Sequence, residues 1–181
     1  MSRKPYKGQF SSFENPDKYL GDITKVIYRS SWERSAFRWC DLNENVDSWA
    51  SEEMSIYYHH PVMNKTAKYY PDLFIVLKNG KTLVIEIKPK AQTMEPKRPL
   101  KKTKKYVQEF GTWLVNQSKW SAARDVCDKN GFEFHIWTED ELKSLGIDRL
   151  KADGTTLLKE KAVMKRRASP KKKITRPKRK S

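Results

Sequence analysis

The chain has 181 residues, 38 Lys/Arg against 22 Asp/Glu and a formal net charge of +16, enough length for one domain with a real core plus extensions. No stretch approaches the roughly 18 apolar residues of a membrane span, and MSRKPYKGQF lacks the apolar segment of a secretory signal. Two cysteines, Cys40 and Cys127, are too few and too isolated for a disulfide framework or a zinc site, so a reducing, intracellular setting is expected.

Residues 1–25 are polar, carry Pro5, Gly8, Pro16 and Gly21, and read as an irregular N-terminal arm. VIYRSSWERSAFRWCDLNEN then starts a helix. Ser30 is a good N-cap with Glu33 three residues on, and Trp32, Ala36, Trp39 and Cys40 recur at helical spacing, with Phe37 widening the stripe. VDSWASEEMSIYYHH predicts a strand, strongest over 54–58, and 61–68 a loop. Residues 68–77 and 82–88 predict a hairpin joined by Lys78-Asn79-Gly80-Lys81, because Asn-Gly is a strong hairpin signal. Pro89 ends the second strand, and AQTMEPKRPLKKTKK reads as a basic loop.

Residues 106–116 and 120–129 predict two helices, the second closed by Asn130-Gly131. FEFHIWT reads as a short alternating strand and EDELKSLGI as a last short helix. This order predicts an α/β fold over 26–150, a mixed central sheet flanked by helices whose first strands form a meander. From 151 to 181 there are 13 Lys/Arg and 2 Asp/Glu, so eleven of the sixteen net charges lie in a segment too poor in apolar residues to offset the entropy of ordering. It is predicted to be a disordered basic tail that meets a polyanion, with nucleic acid first.

The chemistry concentrates in YYPDLFIVLKNGKTLVIEIKPK. Side chains alternate along a strand, so Glu86 and Lys88 share a face, their Cα atoms about 6.5 Å apart at roughly 3.3 Å per residue. Opposite charges on a half-buried strand are costly unless paired or bound to an ion. A hairpin folded at Asn79-Gly80 pairs residues whose numbers sum to about 159. Asp72 then falls opposite Ile87, and a one-residue register change or a bulge would move it onto the face of Glu86 and Lys88. Two carboxylates suit a hard cation such as Mg²⁺, which polarises a phosphoryl oxygen and activates water. A nearby Lys stabilises the added charge of the transition state.

Pro71-Asp72, followed by Glu86-Ile87-Lys88 after 13 intervening residues, resembles the PD-(D/E)xK motif of restriction-endonuclease-like proteins. With YRSSWE, YYPDLFI, VIEIKPK and FHIWTEDELKSLGI in this order, the chain is similar to the head completion nucleases of tailed phages, relatives of the TnsA-type transposon endonucleases, over 19–147. The resemblance implies a restriction-endonuclease-like core and a metal-dependent DNA endonuclease, using Mg²⁺ or Mn²⁺, that processes the end of packaged DNA before tail attachment. By carry-over Asp72 and Glu86 bind the metal, Glu33 completes or extends its shell, the Ile87 carbonyl is a further ligand, and Lys88 serves the transition state. The implied partners are double-stranded DNA and phage head or portal and neck proteins, with a homodimer, or two events, for a double-strand cut. The implied location is the phage head in the virion, and the host cytoplasm during assembly.

Lys97, Arg98, Lys101, Lys102, Lys104 and Lys105 follow the catalytic strand and read as phosphate contacts, as do Arg29 and Arg34 beside Glu33. In the tail, Lys165, Arg166, Arg167, Lys171, Lys172 and Lys173 read the same way. Such contacts position a duplex without reading its sequence. Plainer readings exist for each site residue: Glu33 as a helix cap, Asp72 as a strand-start residue, Glu86 and Lys88 as an edge-strand pair. A DNA-binding structural protein of the phage head or neck, without catalysis, is the alternative function. His59 and His60 have no ligand partner at a suitable spacing and read as surface or packing residues, and His135 as a satisfied core histidine.

Overall fold

The computed structural model describes residues 7–147. The tail expected to be disordered, with its six basic candidates from Lys165 to Lys173, lies outside the described residues.

Strand β1 (Gly8–Gln9) pairs antiparallel with β2 (Ile27–Tyr28), and helix α1 (Ser31–Leu42) follows. Strand β3 (Val46–Ala50) leads to a hairpin of β4 (Ile56–His60) and β5 (Lys65–Tyr69), then to β6 (Leu73–Leu77) and β7 (Thr82–Ile87). A short helix α2 (Lys90–Thr93), the long helix α3 (Lys104–Asn130), strand β8 (Glu133–Trp137) and helix α4 (Glu139–Ser144) complete the order.

The central sheet runs β3-β6-β7-β8. The first two pairings are antiparallel and β7 to β8 is parallel, the return being made through α3. The mixed sheet flanked by helices is therefore present, with the β4–β5 hairpin inserted into the expected meander.

One sheet face carries Leu73, Ile75, Ile85 and Ile87 into a core with Ala36, Phe37 and Cys40 of α1 and Leu142 of α4. The N-terminal residues, expected as an irregular arm, enter this core: Phe10 and Tyr19 are buried against Trp49, with ring centroids 6.2 and 4.8 Å away. Asp41, fully buried, holds them there by accepting from the Glu14 and Asn15 amides at 2.8 and 3.0 Å. On the other face α3 and the hairpin bury Ile56, Tyr58, Tyr69 and Ala123 around Phe134.

Four local expectations are corrected. The single strand over 68–77 is two, because Pro71 offers no amide to a ladder and β5 pairs with β4 instead, Ile56 opposite Tyr69. The loop over 61–68 accordingly includes most of β5. The strand read across 46–60 breaks at Glu52, whose φ of 56° is left-handed and ends extended pairing. The two helices over 106–129 are one, since Gln117-Ser118-Lys119 contains neither Pro nor Gly to interrupt the hydrogen-bond ladder. Thr103 caps α3 through the Tyr106 amide at 3.2 Å, and Gly131 closes it in the left-handed region.

Candidate active site

The β6–β7 turn decides which residues meet. Leu73 faces Ile85 and Phe74 faces Val84, so paired numbers sum to 158 instead of the 159 of a two-residue Asn-Gly turn. The Leu77 amide bonds the Lys81 carbonyl and the Gly80 amide bonds Leu77, leaving Lys78, Asn79 and Gly80 as a three-residue loop. Gly80 takes φ of 86°, the left-handed residue such a loop requires. The extra loop residue shifts the register by one, and continuing it brings Asp72 opposite Glu86 on the face shared with Lys88.

Glu86 is 3% exposed and both its oxygens are engaged. Oε1 pairs with Lys88 Nζ at 2.8 Å and Oε2 accepts from the Tyr69 hydroxyl at 2.5 Å. Asp72, half-buried, accepts from the Ile87 amide through Oδ2 at 2.6 Å. That bond ties the start of β6 to the end of β7, where both strands leave the ladder. Glu33 lies in the first turn of α1, its amide bonded to Ser30 Oγ at 3.1 Å and its Oε2 accepting from the Arg29 amide at 2.7 Å. The cap anticipated for Glu33 is thus real, and it coexists with a position in the cluster: its charge adds to the field on Asp72 and Lys88.

The electrostatics show a site with surplus negative charge. Burial, then the charge of Glu86, push the Asp72 carboxyl well above the usual carboxylate range, against the pull of Lys88. Burial works against the Lys88 ammonium, but Glu86 and Asp72 together hold it above the ordinary lysine range. Burial and Glu86 also raise the Tyr69 phenol, which therefore stays a donor.

The donors are all hard oxygens, with no imidazole or thiolate among them. No three His, Cys, Asp or Glu side chains surround one point among the described residues. The arrangement is a two-carboxylate site, the kind Mg²⁺ occupies while keeping water and phosphate oxygens for its other positions. The charge surplus that a proton would relieve at Asp72 is the same one a divalent cation would neutralise.

Two residues of this neighbourhood were not marked by the sequence. Tyr69 immediately precedes Tyr70-Pro71-Asp72, and its ring position in YYPD was the only available sign. Lys119, in the middle of α3, is half-buried, with Nζ 5.4 Å from the Tyr69 ring centroid and 5.7 Å from that of Tyr58. Burial lowers its pKa, helped by Lys88 and opposed by Glu86 and Asp72, so it belongs to the same electrostatic cluster.

The basic candidates spread more widely. Arg29 pairs with Glu52, and the Arg34 guanidinium lies 5.4 Å from the Tyr28 ring. Lys97, Arg98, Lys101 and Lys102 are exposed between α2 and α3, with Lys104 and Lys105 in the first turn of α3. They edge two grooves of about 720 Å³ each, one between Gln92, Lys97, Lys105, Trp113 and Asn116, the other among Arg98, Lys102, Tyr106 and Phe110. His59 and His60 stand on the hairpin, where His60 Nδ1 accepts from the Met63 amide at 3.2 Å. His135, expected in the core, is exposed beside Glu133, because it stands on β8 at the edge of the sheet.

The family model described as TnsA-like endonuclease N terminal matches residues 43–139, a span that holds Asp72, Glu86, Lys88 and Lys119 and starts after Glu33. The head completion nuclease of Enterobacteria phage T4 is 39% identical over 138 residues, 74% of this chain and 92% of that protein. No described helix is long and apolar enough to cross a membrane.

Proposed function

This chain belongs to the TnsA-like endonuclease family and is a relative of the phage T4 head completion nuclease, and from that premise we propose that it is a metal-dependent DNA endonuclease of phage head completion, processing the end of packaged DNA before the tail joins. The observation that supports this most is the register between β6 and β7, which sets Asp72 beside Glu86 and Lys88. Asp72 and Glu86 would hold Mg²⁺ or Mn²⁺, with the Ile87 carbonyl as a further ligand and Glu33 completing or extending the shell. Bound there, the cation supplies a Lewis acid for the phosphoryl oxygen and lowers the pKa of water.

The remaining work falls to the chain. Tyr69 fixes the rotamer of Glu86 through its hydroxyl. The Asp72 bond to the Ile87 amide fixes both strand ends, so the two carboxylates keep their spacing. Lys88, already held at Glu86, stands ready to follow the negative charge onto the phosphate in the transition state, where a preorganised ammonium is worth most. The basic loop before α3, with Arg29 and Arg34, would hold the duplex by its phosphates.

The head-completion role is tested with filled heads from a phage lacking this protein. Supplying wild-type chain should restore tail joining, and Asp72→Ala or Lys88→Ala chain that still docks should leave heads uncompleted. Equal completion by the variants would show that catalysis is not what the head requires.

A further inference from the structure

Lys119 is a half-buried ammonium with no carboxylate within 4 Å among the described residues. Glu86, the acidic group whose charge acts on it most, is already paired with Lys88 and Tyr69. Two tyrosine rings support it, which fixes the side chain without neutralising it. An unpaired cation in such a place is costly, and its natural complement is an anion that arrives with a ligand. One turn earlier on the same side of α3, Asn116 is 6% exposed and lines the groove with Gln92 and Lys97. Its carboxamide makes no hydrogen bond to the described residues and is not among their buried polar atoms left without a partner, so it is open to the groove and available to a ligand there. Ala91 and Gln92, which line this groove together with Lys105 and Glu109, lie three and four residues beyond Lys88 in the chain, so the groove begins where the chain leaves the acidic cluster.

We propose that Lys119 and Asn116 bind a backbone phosphate of the DNA strand being cut, making α3 the wall that positions the strand across the acidic cluster. The inference rests on the nuclease reading above and adds positioning residues from a helix that the PD-(D/E)xK pattern does not include. In this arrangement Lys88 acts at the reacting phosphate and Lys119 at a neighbouring one. Loss of Lys119 therefore weakens strand binding more than it slows the bound complex.

The test compares full-length wild type, Lys119→Met, Lys119→Arg and the remote surface variant Lys143→Met. Binding of a labelled duplex is titrated by anisotropy in Ca²⁺ across a salt series, and KM and kcat are measured in Mg²⁺. Lys119→Met should flatten the log–log salt slope by about 0.9, the share of one phosphate contact. It should raise KM roughly five- to tenfold with kcat within about twofold, and Lys119→Arg should restore both. Its melting temperature should equal or exceed wild type, since an unpaired half-buried charge is gone; a residue that only supports the fold would lower it. If wild type binds and cuts but Lys119→Met keeps the same slope and KM, this inference falls alone. If wild type neither binds nor cuts, the nuclease reading falls with it.

Discussion

Asp72 has two jobs that pull its chemistry in opposite directions. As a partner of the Ile87 amide it fixes the ends of two strands, and as a carboxylate beside Glu86 it loads the fold with charge. Burial and Glu86 raise its pKa, so the folded chain holds that proton more tightly than the unfolded chain does. The associated stability is fully present below the ordinary Asp value near 4 and is lost as pH rises through the raised folded value. In EDTA at pH 7, Asp72→Asn should therefore melt roughly 2–4 °C above wild type, the shift expected for about 1 kcal/mol in a domain of this size. The gap should close by about pH 4; a variant less stable than wild type at pH 7 would contradict this account. The carboxylates and Lys88 were legible because their charges interrupt apolar strands at fixed spacing. Their meeting was off by one residue, because Asn79-Gly80 works inside a three-residue loop. Lys119 was not legible at all. One lysine among 38 Lys/Arg carries no local mark, and only the packing of α3 against the β4–β5 hairpin, chiefly β4, gives it Tyr58 and Tyr69 as neighbours.

At the scale of elements, the site depends on where strands stop. Pro71 ends β5, and the three residues Tyr70, Pro71 and Asp72 let β6 join a different sheet from β5. The sequence read that stretch as one strand because its apolar run is nearly continuous, and long-range pairing with β4 is invisible to local pattern. The N-terminal segment escaped for a related reason: Phe10 and Tyr19 are scattered among polar residues, and their burial depends on Asp41 catching two amides from a distance. Asp41→Ala removes the partner of both the Glu14 and Asn15 amides, so it should cost about 2 kcal/mol, the lower end of about 1–3 kcal/mol for each of two unsatisfied groups, because both residues are otherwise exposed. Denaturant unfolding would measure the loss, and limited proteolysis should then cut first within residues 7–25. Wild-type stability in this variant would show that the segment is seated by its aromatic rings alone.

The whole molecule joins an acidic centre to a basic body. The described fold places Glu33, Asp72 and Glu86 near one another while the exposed loop before α3 is lined with Lys and Arg. A polyanion drawn to the body meets a centre that repels it until a cation is bound, so metal and DNA should bind cooperatively. The most direct measurement incubates purified full-length chain with linear double-stranded DNA in Mg²⁺, Mn²⁺ or EDTA, beside folded Asp72→Ala and Lys88→Ala. Cutting is expected in either metal, with none in EDTA and none by the two variants. Cutting that persists in EDTA, or that survives the loss of Asp72 or Lys88, would contradict this account.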